Sequence, residues 1–333
     1  MKRYFILVCG LILLLSTQLL FWGYSPDNAT EIVATRYLFL APLGDKPNSN
    51  QTIFRDLLAE GICQGDNEYG TNTEFIACSD NASMAEAIQK GIYSNVDGII
   101  ISGFSEASDT LIEAVAKARS YGIPIVLVDH KISGLEYDCY IGSDNQNAGS
   151  VAAQILAKQI LSNTQAVIIV SDMEGENLLE RIESFSNTWN RLTGLTNIKI
   201  VKTNGEYPEL RRQMLKLFDS DRNYRAIFCA DAVSTVGMKD LIKSIKQDIS
   251  IVGFDTLPDI LTGIEEGIYI AVIGQDTQNI GHKAIQYLVE NPEIHENIEA
   301  PELQVSIFTV DQTNINAYKN DTNSEVTQEW LIN

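Results

Sequence analysis

The chain has 333 residues, 45% of them hydrophobic and 20% charged, and a formal net charge of −20. That length buries one large core or two smaller ones, and the composition is that of an ordinary globular protein. The excess of acid excludes a polyanionic partner such as nucleic acid: Lys and Arg are scattered, apart from small groups such as Arg211-Arg212, and form no basic patch.

The first stretch, "MKRYFILVCGLILLLSTQLLFWGY", opens on Lys2 and Arg3 and then runs from Tyr4 to Trp22 without a charge. About 20 such residues span a bilayer. Residues 1–24 are therefore predicted to be a transmembrane anchor, with the N-terminus inside and the rest of the chain outside the cytoplasm. Trp22 and Tyr24 suit the outer interface. The rival is a cleaved signal peptide, but Ser25-Pro26-Asp27 is a poor cleavage site. Cys9 precedes most of the apolar run, which disfavours a lipoprotein. The predicted location is the cell membrane, single pass, with an extracytoplasmic binding domain after a polar linker, 25–35. Of the later cysteines, Cys63, Cys78, Cys139 and Cys229, none has the spacing of a zinc site. Cys229 sits in the apolar run "AIFCAD" as a buried thiol, and a disulfide such as Cys63–Cys78 is open outside the cytoplasm, with the pairing unfixed.

Beyond the linker, short apolar runs alternate with longer amphipathic ones. Strands are predicted at 37–42, 74–79, 96–102, 123–129 and 139–144, and in a second series at 166–171, 198–203, 226–231, 249–255 and 270–275. Their continuous apolar character suits parallel sheets covered on both faces. Between them, residues 50–65 bring Ile53, Phe54, Leu57, Leu58 and Ile62 near one helix face, and "SMAEAIQKGIYSN", "SDTLIEAVAKARSYG" and "NAGSVAAQILAKQIL" behave likewise. Gly122 and then Pro124 mark a helix stop and a strand start. Such alternation predicts an α/β fold, doubly wound, with right-handed crossovers. The strands are too many for one modest sheet, so two parallel-sheet lobes of about five strands each are predicted, with a boundary near 143–148. Residues 280–291 and the run "VSIFTVD", 305–311, are left over, so the chain crosses between lobes more than once. The predicted division is 36–142 with 276–302 for the N-terminal lobe, 143–275 with 303–318 for the C-terminal lobe, and a loose polar tail, 319–333.

The segments "VDGIIIS", "GIPIVLVDHKI", "YIGSDNQNAG", "AIFCADAVSTVG", "IVGFDTLPD" and "VIGQDTQNIGHKAIQYL", taken in order, resemble those of type I periplasmic sugar-binding proteins of the ribose-binding group. That group shares its fold with the ligand-binding cores of LacI-type repressors. The similarity covers roughly residues 36–318. It implies two lobes joined by three crossings that close over a monosaccharide held beyond the carboxyl ends of the strands. The resemblance carries roles to particular positions. Asp129 matches the acid of the family's usual Asp-Arg pair, and His130 departs from its arginine. Arg181 matches an arginine that reaches ligand hydroxyls, Asp255 a strand-end acid, and Gln275 a glutamine at a lobe crossing. Asp231 stands where Asn is commoner. Phe54 falls on an aromatic position, Arg55 replaces a frequent second aromatic, and Tyr207 takes an aromatic position from the second lobe. Asp144 and Asn145 fall in a crossing segment and are expected to brace the hinge.

The chemistry is coherent by itself. Carboxylates accept from sugar hydroxyls in charge-assisted bonds, an arginine donates as a fork and offsets the acids, and a ring covers the C–H face. Each position also has a plainer reading. A strand-end Asp is an ordinary turn residue; Arg181 would be a solvated helix charge, and His130 a surface loop residue. Asp231 is placed to cap the helical run after it. Trp189 is expected in a packed helix face, and Arg55, if it reaches the cleft, would select an anionic or oxidised sugar. Catalysis finds no motif: there is no G-x-S-x-G, H-E-x-x-H or P-loop, and the only histidines are His130, His282 and His295. Asp129, Asp231 and Asp255 as glycosidase acids are the weaker reading. No cofactor or metal is expected.

The predicted function is a membrane-anchored solute-binding protein for a monosaccharide or polyol, partnered by an ABC permease. The alternative is a sensor subunit that reports occupancy to a membrane histidine kinase, toward which an uncleaved anchor tilts. A LacI-type regulator is disfavoured, because the membrane segment occupies the place of the DNA-binding helices. Replacing Asp255 or Arg181 by Ala is expected to abolish ligand-induced stabilisation and leave the unliganded fold intact.

Overall fold

The computed structural model describes residues 35–322 apart from 44–49, 105, 160–163, 172–174, 222, 246–247 and 295–298. The expected anchor, nearly all of the linker, His295 and residues 323–333 lie outside the described residues. Among the described residues no helix is long and apolar enough to cross a membrane.

The first half of the chain runs β1 (Arg36–Pro42), α1 (Asn50–Tyr69), β2 (Asn72–Cys78), α2 (Asn81–Tyr93), β3 (Gly98–Ile101), α3 (Asp109–Ser120), β4 (Ile125–Val128), β5 (Cys139–Ser143), α4 (Asn145–Ala157) and β6 (Gln165–Val170). It continues through α5 (Glu176–Thr193), β7 (Ile198–Lys202), α6 (Tyr207–Ser220), β8 (Tyr224–Cys229), α7 (Ala232–Ile242), β9 (Ser250–Phe254), α8 (Pro258–Glu265), β10 (Ala271–Gln275) and α9 (Thr277–Glu290). It closes with β11 (Glu302–Val305), β12 (Ile307–Val310) and α10 (Ile315–Thr322). Each strand expected up to residue 275 forms. In β1, Tyr37, Phe39 and Ala41 pack into one apolar cluster with α1 and α9, while Leu38 and Leu40 pack into another with α2 and α3. Burial on both faces is why these strands read as continuously apolar.

The strands form two six-stranded sheets, ordered β11-β5-β4-β3-β1-β2 and β12-β10-β9-β8-β6-β7. Each therefore has one strand more than the expected five. The extra pair comes from a single segment: the run expected as one strand at 305–311 is divided at Ser306, with β11 in the first sheet and β12 in the second. The last crossing thus falls at Ser306 and not between 302 and 303. The same geometry corrects the all-parallel expectation. β11 runs parallel to β5, whereas β12 runs antiparallel to β10. The sheets face each other through the carboxyl ends of their parallel strands, so a segment passing straight across must be parallel to one and antiparallel to the other.

The other two crossings are built alike, on "SDNQNAG" (143–149) and "QDTQNIG" (275–281). Asp144 caps α4 by accepting from Asn147 N at 2.9 Å, and Asp276 caps α9 by accepting from Asn279 N at 3.1 Å. Five residues on, each repeat carries a glycine at a helix–helix contact. A Cβ on Gly149 would lie 2.2 Å from the Arg181 carbonyl oxygen, and one on Gly281 would lie 2.2 Å from that of Leu58. Backbone cannot yield as a side chain does. Gly149→Ala and Gly281→Ala are each expected to destabilise by about 1–3 kcal/mol through overpacking, against the usual gain from replacing a helical glycine. Thermal unfolding checks this, and an unchanged or raised melting temperature would contradict it.

Cys63, Cys78, Cys139 and Cys229 are all free thiols, so the structure does not form the Cys63–Cys78 bridge; Cys78 and Cys229 are core residues of different lobes. Trp189 is fully buried, with Phe185 stacked on it at 5.9 Å and on Phe228 at 5.2 Å.

Candidate functional site

Asp129 and Asp255 immediately follow β4 and β9, at matching places in the two lobes, and they share one backbone device. Both take left-handed conformations, with φ of 74° and 71°. Each amide donates to the neighbouring strand, Asp129 N to Ile141 O at 2.9 Å and Asp255 N to Ile273 O at 2.8 Å. A left-handed L-residue costs roughly 1–2 kcal/mol, and Asp and Asn are among those that bear it best. The two acids thus end their strands in a shared, strained turn that ordinary strand termination does not require. Observed strain of this kind points toward function.

Arg181, on α5 in the second lobe, is only 3% exposed. Its guanidinium lies 3.6 Å from the centre of the Phe254 ring. Nε donates to Asn145 Oδ1 at 2.8 Å, and Nη1 donates to the Ala230 carbonyl at 2.9 Å. Burial works against its positive charge, while Asp255, Asp129 and Asp231, in that order, sustain it, followed by Tyr140. One arginine therefore sits within electrostatic reach of acids from both lobes.

The carboxyl of Asp255 is pushed up to about 6, chiefly by burial, with Arg181 and the Gln275 hydrogen bond pulling it down and Asp129 and Asp231 adding to the rise. Gln275 Nε2 donates to Asp255 Oδ1 at 2.7 Å, while Gln275 Oε1 accepts from Ser143 Oγ at 2.8 Å. Ser143 ends β5 and Gln275 ends β10, so the chain Ser143–Gln275–Asp255 ties two crossings to one acid. His130 Nδ1 lies 3.3 Å from Asp129 Oδ2. Burial opposes its protonation, but Asp129 and the backbone of Phe104 and Gly103 outweigh this and raise its pKa. Tyr140 donates to the Asp129 carbonyl at 2.7 Å and pins the turn from below.

Asp129, His130, Arg181, Asp255 and Gln275 are thus brought together. The remaining expected site residues are placed otherwise. Asp231 Oδ1 accepts from Ser234 N at 2.7 Å, and Oδ2 accepts from Ser171 N at 2.7 Å and Ser171 Oγ at 3.0 Å. It caps α7 and holds the end of β6, which fills three of the roughly four acceptor positions of a carboxylate. Arg55 is paired with its neighbour, Nη2 to Asp56 Oδ1 at 2.8 Å, so its charge is answered locally. Phe54 is partly buried against the first-lobe core, while the preceding Ile53 packs on the core of the second lobe. Tyr207 is 41% exposed at the start of α6, beside Gly237 on α7, and does not join the buried charged group. Sequence reasoning missed Phe254 as the platform under Arg181, Asn145 as its acceptor, and Ser143 and Tyr140 as supports. The signal for Phe254 was its place next to a strand-end acid; nothing in the spacing pointed to Tyr140.

Two α/β lobes, three crossings and a buried charged group between strand ends define the class: a two-lobed binding protein. A family model described as a periplasmic binding protein domain matches residues 47–291, and the chain belongs to that family, one of binding proteins and not of enzymes. The chain is 23% identical over 236 residues to the ribose import binding protein RbsB of Bacillus subtilis (strain 168), covering 68% of this chain and 73% of that protein. Among solved structures, it superposes with a TM-score of 0.73 on the sugar-binding protein of a sugar ABC transporter from Bacillus halodurans, at 24% identity over 85% of this chain and 99% of that one. It also matches the XylFII–LytSN complex, with a TM-score of 0.64 and 21% identity over 84% of this chain and 99% of that one.

Proposed function

We propose that the chain is an extracytoplasmic solute-binding protein, held at the membrane by residues 1–24, that takes a monosaccharide or related polyol between its lobes for ABC-type uptake. The observation that carries this reading is the convergence of Asp129 from one lobe with Arg181 and Asp255 from the other. A polyol presents several hydroxyls that donate to carboxylates and accept from a guanidinium fork, and charge-assisted bonds are roughly twice as strong as neutral ones. The likeness to ribose import binding proteins supports a sugar as ligand. His130, Arg55 and Asp231 depart from the commonest pattern of that group, so ribose itself is one candidate among pentoses, hexoses, inositols and sugar acids.

Thermal unfolding of the full chain in detergent against that panel tests the reading. A true ligand at 100-fold excess over its Kd adds about 2.7 kcal/mol and raises the melting temperature. A panel without one stabilising member would refute it. Mass spectrometry of the mature N-terminus tests the anchor: a chain that still carries residues 1–24 supports it, and one cut near residue 25 does not.

A second reading is a sensor subunit that reports occupancy to a membrane histidine kinase. The likeness to XylFII, solved in complex with LytSN, favours it, because a protein of this fold there docks on another protein. Pull-down from detergent separates the two readings by recovering a permease or a kinase.

A further inference from the structure

We propose that the pole of the first lobe where the chain enters β1 lies against the bilayer interface, through an exposed tyrosine pair. The inference rests on the anchor reading above. Tyr93 and Tyr121 are 77% and 67% exposed, the two most exposed large hydrophobic side chains among the described residues. They are neighbours in the fold. Tyr93 ends α2, and Tyr121 caps the end of α3 and donates its amide to the Lys117 carbonyl at 3.2 Å. Lys117 Nζ in turn lies 5.8 Å from the centre of the Tyr93 ring.

Chain entry falls at the same place. Arg36, the first residue of β1, donates from Nη2 to the carbonyl of Ser94, next to Tyr93, and its amide donates to Asp97 Oδ2 at 2.7 Å. Residues 1–24, the expected span, are joined to that point by little more than ten linker residues. A short tether keeps its attachment point near the membrane surface. Tyrosine, with an apolar body and a polar tip, is a side chain enriched at that surface. Acids accompany the bases here: Lys90 pairs with Glu86 at 2.9 Å, and the Asp97 carboxylate, held by the Arg36 backbone amide, adds a negative charge, so the patch is aromatic and not net basic. A zwitterionic interface, and not an anionic headgroup, is the surface it fits. The cleft then opens away from the membrane-facing end of the first lobe.

Full-length protein carrying Tyr93→Trp or Tyr121→Trp, reconstituted into phosphatidylcholine vesicles with and without brominated acyl chains, tests the proposal. Leu192→Trp, on an exposed position at the far end of α5 in the second lobe, is the control. The expected result is bromine-dependent loss of the added emission at 93 and 121 and none at 192. Vesicle flotation reads the anchor separately. Protein that floats with emission at 93 and 121 unquenched overturns the orientation and leaves the anchor standing. Protein that does not float overturns both.

Discussion

Arg181→Met is expected to abolish ligand binding and to weaken the empty protein at the same time. The methionine stem fills much of the same volume, so the effect isolates the charge and its fork. Asp255 loses the cation that favours its ionised form, and the buried charged group loses its guanidinium. Removing one partner of a buried charged group costs about 3–5 kcal/mol. Asn145 Oδ1 and the Ala230 carbonyl lose their donors, and the Phe254 ring loses the guanidinium stacked on it. This corrects the expectation that substitution here spares the unliganded fold: Arg181 is part of the frame of the second lobe as well as a donor to ligand. Thermal unfolding without ligand reads the first effect and calorimetric titration the second. Arg181→Lys keeps the charge but not the fork, so it should recover stability more than affinity. A Met variant as stable as the parent would mean the guanidinium is solvated and the buried group does not exist as described.

Asp255→Asn is expected to do the opposite to stability and the same to binding. The folded carboxyl titrates at about 6, above the ordinary 3.8 of an aspartate, mainly because burial disfavours the anion. A raised acid pKa means the folded state holds its proton where the unfolded chain has released it. Stability of the unliganded protein is therefore highest below about pH 4, falls as pH rises through about 6, and stays lower beyond it. With about 1.4 kcal/mol per pKa unit the total loss is about 3 kcal/mol. Asn carries no charge, keeps the shape and tolerates the φ of 71° at this position. The variant should be more stable than the parent at pH 7 by about that amount, with the pH dependence between 4 and 6 flattened. Binding should weaken roughly 10- to 100-fold with the loss of a charge-assisted acceptor worth about 1.5–3 kcal/mol. Stability gained where function is lost is the expected signature of a strained, desolvated site. Thermal unfolding across pH 4 to 8 checks the sign, and a variant less stable than the parent at pH 7 would contradict it.

The fold was legible because burial on both sheet faces writes itself into sequence as unbroken apolar runs; the edge strands β2 and β7 keep exposed polar positions, but β1, β3, β4 and β9 carry that mark. The final crossing does not. In "ELQV", residues 302–305, polar and apolar side chains alternate, as suits an edge strand, and Ser306 is no strong breaker, so the division between sheets left little trace. The antiparallel edge follows from how two sheets face each other, which no local pattern records. In the site, Asp129 and Asp255 were legible as acids that end apolar runs, but their left-handed turns were not, since Asp serves right-handed turns equally well. Arg181 stood out only through the resemblance, because a mid-helix arginine is ordinarily solvated. The cap formed by Asp231 was legible from the helical run after it. Phe54, Arg55 and Tyr207 show the limit: a position on an element does not say which way its side chain settles, and a neighbour such as Asp56 can claim the charge first.

The most direct test is a crystal structure of the complex with whichever sugar gives the largest melting shift. Ligand hydroxyl oxygens are expected at about 2.7–3.2 Å from an Asp255 carboxylate oxygen and from an Arg181 guanidinium nitrogen, with Asp129 meeting the same molecule from the other lobe. A sugar seated on another surface, or between the lobes with Arg181 and Asp255 untouched, would contradict the account.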